Sequence, residues 1–386
     1  MTDKKSTPVC IMVIGDGMAD LPMAALSGKT PLQQGTYPHM ARMAGQSGVR
    51  AVQTIPEGYP AGTETAMPLI TGYDTDVLTG RGPVEAAGMG VVLPSGQFAM
   101  RANLVRLDEA DILVEACPEL EDAEGLAVGR RLAEDAEIQS ILTRAGWTLH
   151  PQPGFRQLIT GTGVPPSGMT PPHNVSGAKL SDHFPENETV AAFMRRCRTL
   201  LQADGLGTWP WGAGVVPHYE PFEKKYGRCG AVISAVPVVR GMARLAGLDT
   251  PDVPGATGTL HTNWQGKVDA TLQAVRDGYG FIMLHVEAPD DCSHALNLEG
   301  KQQSITRLDE AIGLLFEGLT GRDFRMALMP DHVTVTETGR HGDQPVPWCV
   351  YDSRLPEGQP LSFAECAGLL VEHYSTPLRT LLGLSD

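Results

Sequence analysis

A chain of 386 residues, 42% hydrophobic and 19% charged, has material for one large domain or two ordinary ones. A net charge of −15 without a long basic run excludes nucleic acid and anionic membrane surfaces as partners, although a local basic or metal-lined pocket still admits a small anion. Seven scattered cysteines, odd in number and without a C-x-x-C pair, exclude a disulfide framework and read as free thiols.

In chain order, the polar residues 1–8 lack the charged and apolar regions of a signal peptide, and no later segment approaches the ~20 apolar residues of a membrane helix, which places the protein in the cytoplasm. The first apolar run, residues 9–14, ends at Gly15-Asp16-Gly17. Next comes Pro60-Ala61-Gly62-Thr63-Glu64-Thr65-Ala66, where Gly62 frees the backbone to turn and Thr63 opens an apolar helical stretch over 66–70. From about 101 to 212 the texture changes. Short strand-like pieces (102–107, 112–115, 155–160) alternate with helical stretches (128–145, 188–204) and a loop rich in Pro, Gly and Ser (161–179). Beyond it, helical patterns over 266–277 and 304–319 separate two more apolar runs. Residues 281–286 end near Asp290, and residues 324–329 end at Pro330-Asp331-His332.

Continuous apolar runs of this length read as strands buried on both faces, as in a parallel sheet. Their alternation with helices predicts an α/β layered domain from 1–100 and 213–386, with a smaller α/β domain, 101–212, inserted into it. Functional groups in such sheets gather at the carboxyl ends of the strands, where Asp16, Asp290, Asp331 and His332 all fall.

Asp290 and His294 are four apart and share one face of a helical turn, and His341 follows His332 by nine residues. Mixed carboxylate and imidazole donors suit Mn²⁺ or Zn²⁺. Asp16, Asp290, His294, Asp331, His332 and His341 are too many for one such ion with an open position. They suit two ions about 4 Å apart, a geometry used in phosphoryl displacement. Taken singly, each Asp also reads as a helix N-cap and each His as a surface or satisfied core residue. Thr63 reads either as a plain N-cap or as a hydroxyl nucleophile at a helix start that favours phosphate.

These segments resemble a known family. Ile14-Gly15-Asp16-Gly17-Met18-Ala19-Asp20 is similar to the opening metal motif of the archaeal-type cofactor-independent phosphoglycerate mutases, members of the alkaline phosphatase superfamily. Gly62-Thr63-Glu64-Thr65-Ala66 with Gly72-Tyr73-Asp74 resembles their nucleophile segment. Thr79-Gly80-Arg81-Gly82-Pro83-Val84-Glu85-Ala86, Phe222-Glu223-Lys224-Lys225-Tyr226-Gly227 and Gly255-Ala256-Thr257-Gly258 match in the same order. So do residues 285–294 (HVEAPDDCSH) and 331–347 (DHVTVTETGRHGDQPVP).

The resemblance implies an alkaline phosphatase-like core and a mutase that interconverts 3-phosphoglycerate and 2-phosphoglycerate through a phospho-enzyme at Thr63. It implies one divalent ion on Asp16, Thr63, Asp331 and His332 and another on Asp290, His294 and His341. Arg81, Arg101, Arg156, His173, Lys224 and Lys225 become candidates for binding the small phosphorylated substrate, with the insert as a lid. Three departures stand out: Thr63 where the family usually has Ser, Cys292-Ser293 for an Ala-Gly pair, and Asn174 for Asp. They keep open a second reading, a metal-dependent phosphate ester or phosphonate hydrolase, or a homoserine kinase-type relative, on the same core. No G-x-x-x-x-G-K-[ST] loop for ATP is present.

Overall fold

The computed structural model describes residues 7–94, 96–365 and 368–384. Two compact units emerge: Met1–Val77 with Tyr219–Asp386, and Leu78–His218. Cys366 lies outside the described residues, and the other six cysteines are free thiols.

The first unit is built on a seven-stranded sheet. Val9–Gly15 is flanked by Phe281–Val286 and Phe324–Met329, both parallel to it, and Gly230–Ile233 extends the parallel set. On the other side Val346–Asp352 runs antiparallel to Phe324–Met329 and to Arg50–Gln53, which in turn pairs in parallel with Val371–His373. The apolar runs of the sequence are the inner strands, and Phe281–Val286 is buried at every residue. Side chains alternate across the sheet. Ile11 and Val13 join Leu308, Ile312 and Leu315 of the helix Leu298–Gly318 in the main core. On the opposite face the Cys10 thiol donates to Leu381 O at 3.3 Å, beneath the helix Thr376–Leu382. Trimming a core side chain such as Leu308 to Ala costs about 2–5 kcal/mol.

Helix ends follow local chemistry. Leu298–Gly318 begins six residues ahead of the apolar pattern because the Asn297 side chain accepts from Gly300 N at 2.9 Å and caps it. Residues 128–145, expected as one helix, are two. Asp122–Glu134 ends where Asp135 turns the chain, and the Asp135 carboxylate caps Ala136–Arg144 through Ile138 N at 3.0 Å.

The second unit is an antiparallel sheet in which Gln97–Leu107 pairs with Leu113–Glu115, Arg156–Thr162 and Leu206–Val215, and Arg156–Thr162 also pairs with Trp147–His150. Gln97–Leu107 is one strand across residues 100–101, although its register with Leu206–Val215 shifts between Ala99 and Arg101. The helix Arg81–Gly88 lies against it, so closely that a Cβ on Gly82 would meet Ala99 O at 2.3 Å.

Candidate metal centre

The three inner strands end side by side, and their exits deliver the acidic residues to one place. Asp16 follows Gly15 directly. Asp290 and His294 sit on the short helix Ala288–His294, one turn past Val286. Asp331 and His332 leave Met329 and lead into a small hairpin, Val333–Val335 with Arg340–Gly342, which returns His341 to the same spot. Thr63 opens the helix Thr63–Ile70 after Gly62, whose φ of +155° is one that side chains rarely adopt and whose added Cβ would press on Glu64 Oε2 at 2.9 Å and His341 Nδ1 at 3.3 Å. Gly17 is equally constrained, because a Cβ there would fall 2.5 Å from Asp290 Oδ1.

The imidazoles are held in one tautomer. His294 Nδ1 lies 2.7 Å from Gly339 O and His341 Nδ1 lies 3.1 Å from Ala61 O. A carbonyl can only accept, so both rings carry a proton on Nδ1, which leaves Nε2 as the atom available to a metal once any proton there is lost. Those two Nε2 atoms stand 2.9 Å apart, with Asp290 Oδ2 3.1 Å from His294 Nε2 and Asp290 Oδ1 3.5 Å from His341 Nε2. His332 follows the same rule. Its Nδ1 faces Val333 O at 3.3 Å and Thr334 Oγ1 at 3.1 Å, while its Nε2 faces Asp16 Oδ1 at 3.3 Å, Asp331 Oδ2 at 3.4 Å and Thr63 Oγ1 at 3.4 Å. The Thr63 hydroxyl donates to Asp16 Oδ2 at 3.3 Å.

The centre demands a cation. Asp16, Asp290 and Asp331 are buried together, and Asp16 Oδ1 and Asp331 Oδ2 have no hydrogen-bond partner. Burial, followed by the neighbouring carboxylates of Asp331 and Asp290, pushes Asp16 well above the usual carboxylate range. Burial would also raise Asp290, but His294 and His341 override it and hold that carboxyl well below the usual range. Asp290 in turn holds His294 up to about 9. Lone pairs, orphaned oxygens and crowded carboxylates are the donor set of divalent ions, so these residues fit the metals that the sequence implies.

Other residues enter the picture that motif spacing did not single out. His285, fully buried on Phe281–Val286, has its Nε2 3.1 Å from Asp16 Oδ2, and burial holds its pKa down to about 3. A histidine in an otherwise apolar strand was the available signal, since a buried polar group needs a partner. Thr334 donates to Asp290 Oδ1 at 2.6 Å and so steadies that carboxylate. Lys267 is buried and donates to His285 O at 3.3 Å.

The basic candidates are engaged by other partners. Lys224 is exposed and 3.2 Å from Glu220 Oε1, and Lys225 donates to Gly72 O at 2.7 Å. Within the second unit, buried Arg101 donates twice to Glu85 at 2.6 Å and once to Asn103 Oδ1, and Arg81 Nε also reaches Glu85 at 2.6 Å. Burial pushes Arg101 down to about 10, whereas Arg101 and Arg81 overcome burial to hold Glu85 down to about 2, so both partners stay charged at neutral pH. Arg156 lies over the Phe155 ring, and exposed His173 lies edge-on to Trp211.

A family model described as the metalloenzyme superfamily matches residues 8–376. A Geobacter sulfurreducens protein named a probable 2,3-bisphosphoglycerate-independent phosphoglycerate mutase is 37% identical, covering 94% of this chain and 96% of that one. The chain belongs to the 2,3-bisphosphoglycerate-independent phosphoglycerate mutase family, within the metalloenzyme superfamily. A relative from Methanothermobacter thermautotrophicus carrying the mutase name is 34% identical, with 92% and 91% covered. Among solved structures, a Pyrococcus horikoshii protein shares the fold at a TM-score of 0.78, with 24% identity and 98% of each chain covered. A cofactor-independent phosphoglycerate mutase from Thermoplasma acidophilum shares it at 0.58, with 19% identity and 98% and 100% covered.

Proposed function

We propose that this chain is a metal-dependent phosphoglycerate mutase that moves phosphate between the 3- and 2-hydroxyls of glycerate without 2,3-bisphosphoglycerate. The observation that carries the reading is the facing pair of Nε2 atoms, 2.9 Å apart beside Asp290, set next to a threonine hydroxyl 3.3 Å from Asp16, in a family named for this reaction. Asp290, His294 and His341 hold one ion, and Asp16, Thr63, Asp331 and His332 hold the other, both Mn²⁺ or Zn²⁺. Bound ions supply Lewis-acid stabilisation of charge on the phosphoryl oxygens.

Thr63 is the nucleophile. Its Oγ1 forms a bond to phosphorus as the bond from phosphorus to the glycerate oxygen breaks. Asp16 Oδ2 accepts the threonine proton, which passes to the departing oxygen. The glycerate then presents its other hydroxyl, whose oxygen bonds to phosphorus as the phosphothreonine bond breaks, and the proton of that hydroxyl passes by way of Asp16 to Thr63 Oγ1. The start of the helix Thr63–Ile70 favours the negative charge of the transferring group. The substrate's carboxylate and phosphate need fixed cationic donors as well. Arg81, Arg101 and Arg156 set three guanidiniums against one carboxylate, Glu85, and with His173 they are the second unit's candidates. Lys224 and Lys225 are those of the first, although Lys225 would have to leave Gly72 O to serve.

A direct test is to incubate the pure protein with Mn²⁺ and 3-phosphoglycerate alone and to follow phosphorus NMR. The reading expects 2-phosphoglycerate to form with little free phosphate. Inorganic phosphate as the main product would assign a hydrolase instead.

A further inference from the structure

We propose that His285 Nε2 is itself a ligand of the divalent ion held by Asp16 and Asp331. The inference rests on the metal reading above and adds a donor to which the resemblance assigns no role.

His285 is fully buried at the carboxyl end of Phe281–Val286, where it pairs in register with Ile14 of the neighbouring strand. Its Nδ1 is anchored 3.2 Å from Ser234 Oγ, which also accepts from Val236 N at 3.1 Å. With Nδ1–H donating to that oxygen, Nε2 is left as a lone pair aimed at the acidic cluster. The other three imidazoles of the centre obey the same arrangement. His294 rests its Nδ1 on Gly339 O, His341 on Ala61 O, and His332 on Val333 O and Thr334 Oγ1. Four rings on four different segments thus present Nε2 inward, each with Nδ1 tied to a fixed oxygen.

The polar atoms around His285 lack partners in a way that one cation cures. Its Nε2 is buried without a hydrogen bond, although Asp16 Oδ2 is 3.1 Å away, because a proton on that nitrogen would point past the oxygen. Asp16 Oδ1 and Asp331 Oδ2 are buried and unpartnered as well. One donor atom from each of Asp16, His285 and Asp331 lies within 4.8 Å of the others. A buried polar group left unsatisfied is costly, so three in one place are not maintained by packing alone. Donors about 2.1 Å from a shared ion stand roughly 3.0–3.4 Å apart, a spacing that the separation of His285 from Asp16 matches. The resulting set joins two imidazoles, two carboxylates and a hydroxyl. It favours Mn²⁺, Zn²⁺ or Co²⁺ over Mg²⁺, which takes oxygen donors and keeps its water.

A crystal structure of the Mn²⁺-loaded protein, with the ions located by anomalous scattering, decides the point without any substitution. The expected result is His285 Nε2 at about 2.0–2.3 Å from the ion that Asp16 and Asp331 hold. Ions in the centre with Nε2 beyond about 3 Å, hydrogen-bonded to Asp16, would overturn this inference and leave the metal reading standing. A centre that takes up no ion would overturn both. In solution, His285→Gln, with its fold verified by circular dichroism, should weaken one ion by about 100-fold or more and leave the other unchanged. Equal affinities for both ions in the variant and the parent would count against the assignment.

Discussion

Asp16 and Asp20 leave the same strand four residues apart, and both are buried, yet their surroundings are opposite. Asp20 is fully partnered: Lys301 Nζ donates to it at 2.8 Å, Thr336 Oγ1 at 2.6 Å and Leu21 N at 2.8 Å. Lys301 places its other protons on Ala19 O at 3.2 Å and Thr334 O at 2.8 Å. Asp16 instead has an orphaned oxygen and sits beside two more carboxylates and the lone pair of His332. A buried charge whose partners are all in the chain is scaffold. A buried charge whose partners are missing marks where something else binds. The scaffold cluster stands behind the site, since Lys301 holds Thr334 O and the Thr334 hydroxyl steadies Asp290.

The largest expected effect is on the chemistry itself. Thr63→Ala should retain metal on the remaining ligands but lose turnover on the order of 10⁴-fold or more, the scale on which removal of a covalent nucleophile acts. Thr63→Ser should remain active. Initial rates of 2-phosphoglycerate formation check both, and an alanine variant with most of its activity would remove Thr63 from the mechanism.

The scaffold cluster should respond in stability before anything else. Lys301→Met leaves the buried Asp20 without its counter-charge and should cost about 3–5 kcal/mol, read by urea denaturation. Adding Asp20→Leu should recover part of that loss, because the stranded charge is then gone. A single variant as stable as the parent would show that the pair is not the support described here.

A smaller effect separates the clusters by pH. His294, held up to about 9 by Asp290, carries a proton in the ion-free protein at neutral pH and must lose it to bind metal. Apparent affinity for that ion should therefore rise by up to about tenfold per pH unit from pH 7 to about 9, then level off. Calorimetry in two buffers of different ionisation enthalpy would detect the released proton. Affinity that does not change over this range would contradict the assignment of His294.

Much of this was legible in the sequence because local rules sufficed. Apolar runs of six residues gave the inner strands, and the acidic residues two to four positions past each were in the right place to converge. What escaped was non-local or concerned a single residue. Lys301 meets Asp20 across 281 positions, and nothing in either neighbourhood announces the other. His285 falls inside an apolar run, where its polarity is itself the clue. The helix break at Asp135 is a competition between propensity and a side-chain cap, supported from a distance by Arg196, 3.0 Å from the same carboxylate.

The unsatisfied cluster around Asp16 and Asp290 is expected to be filled by metal. Equilibrium dialysis of the pure protein against Mn²⁺, with metal content read by atomic emission, measures this directly. The expected result is two ions per chain, one ion for Asp290→Ala, and near-complete loss of turnover when either is removed. A chain that retains no tightly bound ion, or that turns over 3-phosphoglycerate at full rate after exhaustive chelation, would contradict it.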